Sequence, residues 1–288
     1  MKTSTPRGPR YTVGTHRPTP APPIRPPEPR DGRRRLGRWG GAALIVVFLV
    51  WSVEGTGVGI GSLLEGREQG QRLLRAFLSP DLSPEFLGIV AQAAAETVQI
   101  SVAALLLCVL AGLPLAALIA GNVQAPRAVA SGARMVAAVL RGVPELLWAL
   151  IFIATVGPGP AAGVYAIALH GAGLLAKLCS EQLEAVDPAP VEAVRLTGAS
   201  RTATALLATF PQARTGLVSL VLYQWECNIR TATVVGFVGG GGIGQALVIA
   251  LNLFRREEMA TLILAVLVLI LAVDLLSRIV RRRLGAAS

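Results

Sequence analysis

Six blocks of this chain are apolar over lengths that ordinary core helices do not need, at about 39–57, 97–120, 137–157, 161–179, 214–238 and 259–279. The hydrocarbon core of a bilayer takes roughly 20 apolar residues per crossing helix. In lipid every backbone N–H and C=O must bond inside the protein, so apolar blocks of this length are read as helices. Only 15% of the 288 residues are charged and 53% are apolar, against about a quarter charged in a soluble domain. The chain is predicted to be an all-α, polytopic membrane protein with six transmembrane helices.

The net charge of +10 raises nucleic-acid binding as a reading, and the placement of the charge removes it. Ten basic residues precede Trp39, and Arg278, Arg281, Arg282 and Arg283 close the chain. Both clusters flank apolar spans, as cytoplasmic ends do, and neither carries the interleaved aromatic set that base stacking needs. Clustered arginine suits anionic lipid headgroups instead. Residues 1–38, rich in Pro and Arg, read as a disordered cytoplasmic tail. Residues 39–57 form the first transmembrane helix, and no small-x-small cleavage site follows it, so a retained anchor is expected. Residues 58–94 form an external connection. There Arg67, Arg72 and Arg75 alternate with Leu73, Leu74, Phe77 and Leu78, as in an amphipathic surface helix ended by Ser79-Pro80 and Ser83-Pro84. With the N-terminus inside, the connection between the fourth and fifth spans is cytoplasmic. Cys108, Cys179 and Cys227 stand alone without ligand spacing, so no metal or disulfide framework is expected.

That cytoplasmic connection has a readable local structure. Asp187-Pro188 is an N-cap followed by a first-turn proline. Gly198 supplies a left-handed terminus some nine residues later, and Ser200 can cap the next helix. Val191 and Val194 give the short helix an apolar ridge, and Glu192 and Arg195 give it a polar side. In the fifth span Glu226, Arg230 and Thr233 share a stripe, with Asn228 nearby. Ionisable groups at membrane depth are costly and mark either a pathway or an internal pair. Two readings stay open here. One is a Glu226–Arg230 pair with Asn228 bonding a neighbouring helix; the other is a translocation path in which the Arg230 guanidinium meets an oxyanion. Glu145 is expected to pair with Arg141, and His170 to bond between helices. Lys177 lies on the same face of the fourth span as His170, near the cytoplasmic headgroups. The run from Gly239 to Gly244 fits a dinucleotide fingerprint by chance, with no strand before it and no Lys-Ser/Thr after it. Close helix packing or an external turn is the expected use, and an anion-greeting set of amides is a minor one.

Glu192-Ala193-Val194, three residues, Gly198, nine residues and Ala208-Thr209-Phe210-Pro211 closely resemble the EAA loop of ABC-importer permeases, with Val194, Ala208 and Phe210 in place of the usual Ala, Ile and Leu. Arg141 with Pro144-Glu145-Leu146-Leu147-Trp148, the stretch from Val186 to Ala193, and Glu226-Cys227-Asn228-Ile229-Arg230-Thr231-Ala232-Thr233 resemble the phosphonate-importer permeases. Together these stretches cover roughly 95–283, which the resemblance makes an ABC type-1 permease domain with its coupling loop at 187–211. The resemblance implies the type I ABC-importer permease fold, similar to the methionine-importer permease. It implies ATPase coupling through Glu192, Ala193, Val194, Gly198 and Pro211, and a candidate translocation pathway at Glu226, Asn228, Arg230 and Thr233. It also implies a homodimer, an ATPase subunit that binds the ATP, and an extracytoplasmic substrate-binding protein. The permease itself would be neither enzyme nor cofactor binder. The substrates implied are phosphonate, phosphite or phosphate. The alternatives are a permease for another small solute, or an ion-coupled secondary transporter, which calls for inverted repeats that are not evident. An intramembrane enzyme would need a nucleophile–base or metal set that His16 and His170 do not provide.

Overall fold

The computed structural model describes residues 31–56, 67–123 and 125–283. Residues 1–30 of the tail expected over 1–38, part of the external connection and the last five residues lie outside the described residues, whereas residues 31–38 of that tail begin a helix instead of a disordered segment. The chain divides into two units, Met1–Gly66 and Arg67–Ser288. In the first, the described part is one helix, α1 (Asp31–Thr56). Its apolar portion, Leu44–Thr56, is shorter than a full span.

The second unit is helical throughout its described length. It contains α2 (Arg67–Leu78), α3 (Pro84–Ile119), α4 (Arg127–Gly142), α5 (Glu145–Val156), α6 (Pro160–Glu184) and α7 (Pro188–Leu196). These are followed by α8 (Arg201–Gly236), α9 (Gly242–Asn252) and α10 (Arg256–Arg283). The Ser79-Pro80 and Ser83-Pro84 signals act where expected: α2 stops before Ser79 and Pro84 opens α3. The next span thus begins earlier than the apolar block alone indicated.

Six regular spans are not what the described residues form. Four helices, α3, α6, α8 and α10, are long and apolar enough to cross a membrane, and a fifth crossing exists if α4 and α5 count as one. The expected third span is broken into those two helices at an angle of 86°. Pro144 is the cause. It has no N–H to continue the helix, and its ring excludes Val143 from the helical region; Val143 is extended at φ −89° and ψ 122°. A second departure follows the glycine run. Gly239, Gly241 and Gly242 have φ of +101°, +86° and +69°, conformations open to glycine at little cost. The chain therefore breaks after Gly236 and resumes as α9, a helix that the apolar pattern did not announce.

α6 is the hub, packed against α3, α4, α5 and α8. Its buried side is built from Ala162, Gly163, Ala166, Gly171, Ala172, Gly173 and Ala176. Small residues let backbones approach closely, which is how helices gain contact when lipid is as apolar as their own side chains. By contrast α3 and α10 leave Leu106, Leu110, Leu267, Val268 and Leu271 exposed. On a soluble protein so much exposed apolar surface would mark an aggregation hazard; on a spanning helix it faces lipid.

Candidate coupling and translocation site

α7 forms as its residue types require. Asp187 Oδ1 accepts from the Ala189 N–H (2.9 Å), and Pro188 occupies the first helical position. Gly198 sits at φ +80° two residues past the last helical one, and Ser200 Oγ accepts from the Ala203 N–H (3.2 Å) at the start of α8. Val191 is buried and Val194 half-buried, whereas Glu192, Ala193, Arg195 and Leu196 are exposed. The apolar ridge packs toward a π-helical turn, Ala205–Thr209, in α8. Pro211 lies one turn beyond Leu207 in that helix, and its missing N–H cannot complete a regular bond there. Turns of this kind recur at functional positions.

Contacts remote in sequence hold α7 in place. Arg195 Nη2 donates to the Asn122 carbonyl (3.0 Å), while the Asn122 amide donates to the Leu183 carbonyl. The Gly121 N–H donates to Glu184 Oε1 (2.8 Å). The ends of α3 and α6 thus meet at one turn, and α7 is tied to it. Leu196 is 88% exposed on the outward side of α7. The motif did not reveal this exposed apolar side chain.

In α8 the Glu226–Arg230 pair, one of the two readings left open, does not form. Glu226 Oε1 instead accepts from Arg281 Nη2 of α10, with the two side chains only 11% and 21% exposed. Arg230 is exposed, and the bond described for it is to Cys227 Sγ (3.7 Å). A shared stripe is necessary but not sufficient for an i,i+4 pair, because rotamers decide where each head points. Glu226 reaches Arg281 of α10, whereas Arg230 is exposed. Asn228 is buried, as the interhelical reading required. Its amide lies between Gln224 (2.9 Å) and the α3 backbone at Ser101 (3.3 Å). Trp225 Nε1 donates to Ser101 Oγ (3.2 Å) beside it. Thr233 is also buried, with its hydroxyl donating to the Ile229 carbonyl (3.2 Å). Of the four candidate pathway residues, Arg230 alone is exposed.

Glu145 faces His170 Nε2 (3.8 Å) rather than Arg141. The bend at Pro144 carries Glu145 onto α5, away from the α4 face that Arg141 shares. His170 Nδ1 lies 3.0 Å from the Val143 carbonyl, an interhelical bond as expected. Lys177 pairs with Glu181 (2.8 Å) one turn on. The glycine run makes close packing. Gly240 to Gly244 are buried, and the Ile243 N–H is taken by Thr97 Oγ1 of α3 (2.9 Å). A Cβ on Gly244 would stand 1.9 Å from the Thr233 carbonyl oxygen.

Residues 112–286 match the family described as the inner membrane component of binding-protein-dependent transport systems. The chain belongs to that family: it is a multi-pass membrane permease, a transport subunit. Among its relatives is the phosphite transport system permease PtxC of Stutzerimonas stutzeri, 37% identical over 65% of this chain and 68% of the relative. The phosphate-import permease PhnE of Mycolicibacterium smegmatis is 38% identical over 67% of this chain, which spans 36% of that longer protein. A putative cryptic phosphonate transport permease of Escherichia coli is 41% identical over 41% of this chain and 96% of the relative. Among solved structures, the inward-facing MetNI methionine ABC transporter superposes with a TM-score of 0.62 at 18% identity, over 70% of this chain and 99% of that one. An amino acid ABC transporter gives 0.61 at 21% identity, over 69% and 95%. These likenesses show the fold, the all-α permease fold of ABC importers.

Proposed function

We propose that the chain is the permease of an ATP-driven importer of phosphorus oxyanions, phosphonate, phosphite or phosphate, taken over from an extracytoplasmic binding protein. The relatives named for phosphite, phosphate and phosphonate transport support the substrate class. Within the chain, one observation carries the reading. Glu226 is neutralised by Arg281, and Arg230 keeps its guanidinium exposed on α8. An exposed cation at membrane depth is costly unless it faces an aqueous path or a partner, and the guanidinium fork matches phosphoryl oxygens in pairs. Tyr223, Arg230 and Val234 form an exposed stripe of α8, continued by Phe237 just past its end. Two copies of the chain bring these stripes together around the path. Asn228 and Glu226 fix α8 against α3 and α10, so that Arg230 is presented rigidly.

ATP is bound and hydrolysed by a partner subunit that docks on α7, where Glu192, Ala193 and the exposed Leu196 meet it. Movement of α7 is passed through the π turn and Pro211 into α8, the helix that carries Arg230. Residues 95–283 are the permease domain, and both chain ends and α7 are cytoplasmic. In a background without native cysteines, Leu196→Cys is expected to react in intact cells with a membrane-permeant thiol reagent and not with an impermeant one. Labelling by the impermeant reagent would invert the topology.

Arg230→Ala is expected to lower uptake about tenfold to a hundredfold at normal membrane abundance. The lost interaction is a charge-assisted hydrogen bond worth roughly 1.5–3 kcal/mol, and each 1.4 kcal/mol is about tenfold. Arg230→Lys should keep part of the activity, because charge survives without the planar fork. Wild-type uptake by Arg230→Ala would exclude Arg230 from the path.

A further inference from the structure

The first half of α3 carries a carboxylate that the chain itself does not neutralise. Gln92, Glu96, Gln99 and Ala103 recur at four-, three- and four-residue spacing, one stripe of the helix. Gln92, Gln99 and Ala103 are exposed and Glu96 is half-buried. The stripe forms one wall of a groove of about 530 Å3, with Pro160 and Val164 of α6 on the other wall and no basic residue lining it. Among the described residues no ion pair or hydrogen bond reaches the Glu96 carboxylate. Its Oε1 lies beside the glycine turn, where a Cβ on Gly241 would stand 2.8 Å away. α3 is long and apolar enough to cross a membrane, and a bare carboxylate on such a helix is costly unless water or a cation faces it.

Arg230 is the complementary case, an exposed guanidinium on α8 with a long contact to Cys227 Sγ. The two charges lie at nearly one height. Asn228 donates to the Ser101 carbonyl, which levels α8 with α3 at that point. The Ile243 N–H, just after α8, bonds Thr97, so the end of α8 and the start of α3 share a side. Glu96 stands five residues toward that side from Ser101, and Arg230 two residues toward it from Asn228. At about 1.5 Å per residue their heights differ by roughly 4–5 Å, within reach of two long side chains. Yet they do not meet inside one chain. Glu96 lies about 140° round α3 from Ser101, and Arg230 about 200° round α8 from Asn228, so both heads leave the α3–α8 contact. A second copy related by a two-fold axis along the membrane normal keeps every residue at its own depth. Such an interface is self-complementary, so a contact made by one copy is made by the other as well.

We propose that in the assembled transporter the Glu96 carboxylate of each copy pairs with Arg230 of the partner subunit. Charge complementarity at one depth selects a second copy as the occupant, and the pair gives Arg230 a partner while no oxyanion is in the path. The inference rests on the two-copy arrangement of the proposed path and not on its cargo. A dimer paired in this way that refused every phosphorus oxyanion would end the transport reading and leave the pair standing.

Charge reversal in separate copies tests it. A dimer of Glu96→Lys copies sets an ammonium against Arg230 twice, and a dimer of Arg230→Glu copies sets two carboxylates together twice. A dimer with one copy of each kind restores both attractive pairs. Full-length copies with different affinity tags are co-expressed, and the three dimers are counted by native mass spectrometry. Relative to tagged wild-type copies, the ratio of mixed to like dimers is expected to rise about tenfold or more, because like charges at an interface select against the wrong partner. Cysteine cross-linking covers the case in which a reversed charge keeps a copy out of the membrane. In a background without native cysteines, a copy with Glu96→Cys and a differently tagged copy with Arg230→Cys should be joined by a short bis-maleimide. A statistical mixture of the charge-reversed copies overturns the proposal. So does the absence of a cross-link joining the two tags, and Glu96 then serves the glycine turn of its own chain.

Discussion

Glu226→Gln alone is expected to deplete the folded protein from the membrane, and adding Arg281→Gln is expected to restore it. The two side chains are mostly buried against each other between α8 and α10. Removing one partner strands the other charge, at about 3–5 kcal/mol, a large share of the roughly 5–15 kcal/mol that keeps a typical protein folded. Replacing both by matched neutral groups is often tolerated, so the double variant should regain abundance and thermal stability. Arg230→Gln should not rescue Glu226→Gln, because Arg230 points elsewhere. Membrane abundance and the unfolding temperature of the three variants and the wild type decide the matter. A silent Glu226→Gln, or rescue by Arg230→Gln in place of Arg281→Gln, would show that the ion pair lies within α8 after all.

Gly198→Val is expected to leave the protein inserted at near-normal abundance while abolishing uptake and stimulated ATP hydrolysis. Gly198 stands at φ +80° with open space where a Cβ would lie, so the substitution meets no neighbour and its whole cost is in the backbone. A β-branched residue there is strained, on the order of 1–2 kcal/mol. That is too little to unfold the bundle and enough to swing α7 relative to α8. Glu192→Lys should give the same phenotype by reversing an exposed charge on the docking side of α7. Gly198→Ala should be milder. Uptake and ATPase activity must be read together with abundance; normal transport by both Gly198→Val and Glu192→Lys would exclude α7 as the coupling element.

What could be read directly from the chain was local. The cap at Asp187-Pro188, the left-handed Gly198 and the cap at Ser200 each act within three residues, and α7 formed between them as those signals require. The stop and start around Ser79 and Pro84 were legible for the same reason. Longer-range pairings were not. Glu226 and Arg281 lie 55 residues apart, and spacing rules within one helix offered Arg230 instead. Asn122 and Glu184, which anchor α7, carry no pattern because their partners come from other elements. Pro144 was visible in the sequence, yet the apolar pattern ran through it and suggested one span where two helices meet at a sharp angle. Leu196 had a faint signal, an apolar residue next to Arg195 on the polar side of a short helix.

We propose that this chain carries phosphorus oxyanions inward at the expense of ATP hydrolysed by a partner. Proteoliposomes containing the chain and its cognate ATPase, with ATP enclosed and substrate-loaded binding protein outside, test it directly. Labelled phosphonate, phosphite or phosphate should accumulate inside only when both ATP and the binding protein are present, and Arg230→Ala should suppress that accumulation. ATP-independent accumulation that follows an ion gradient, or ATP-driven uptake of a solute without phosphorus while all three oxyanions are refused, would contradict it.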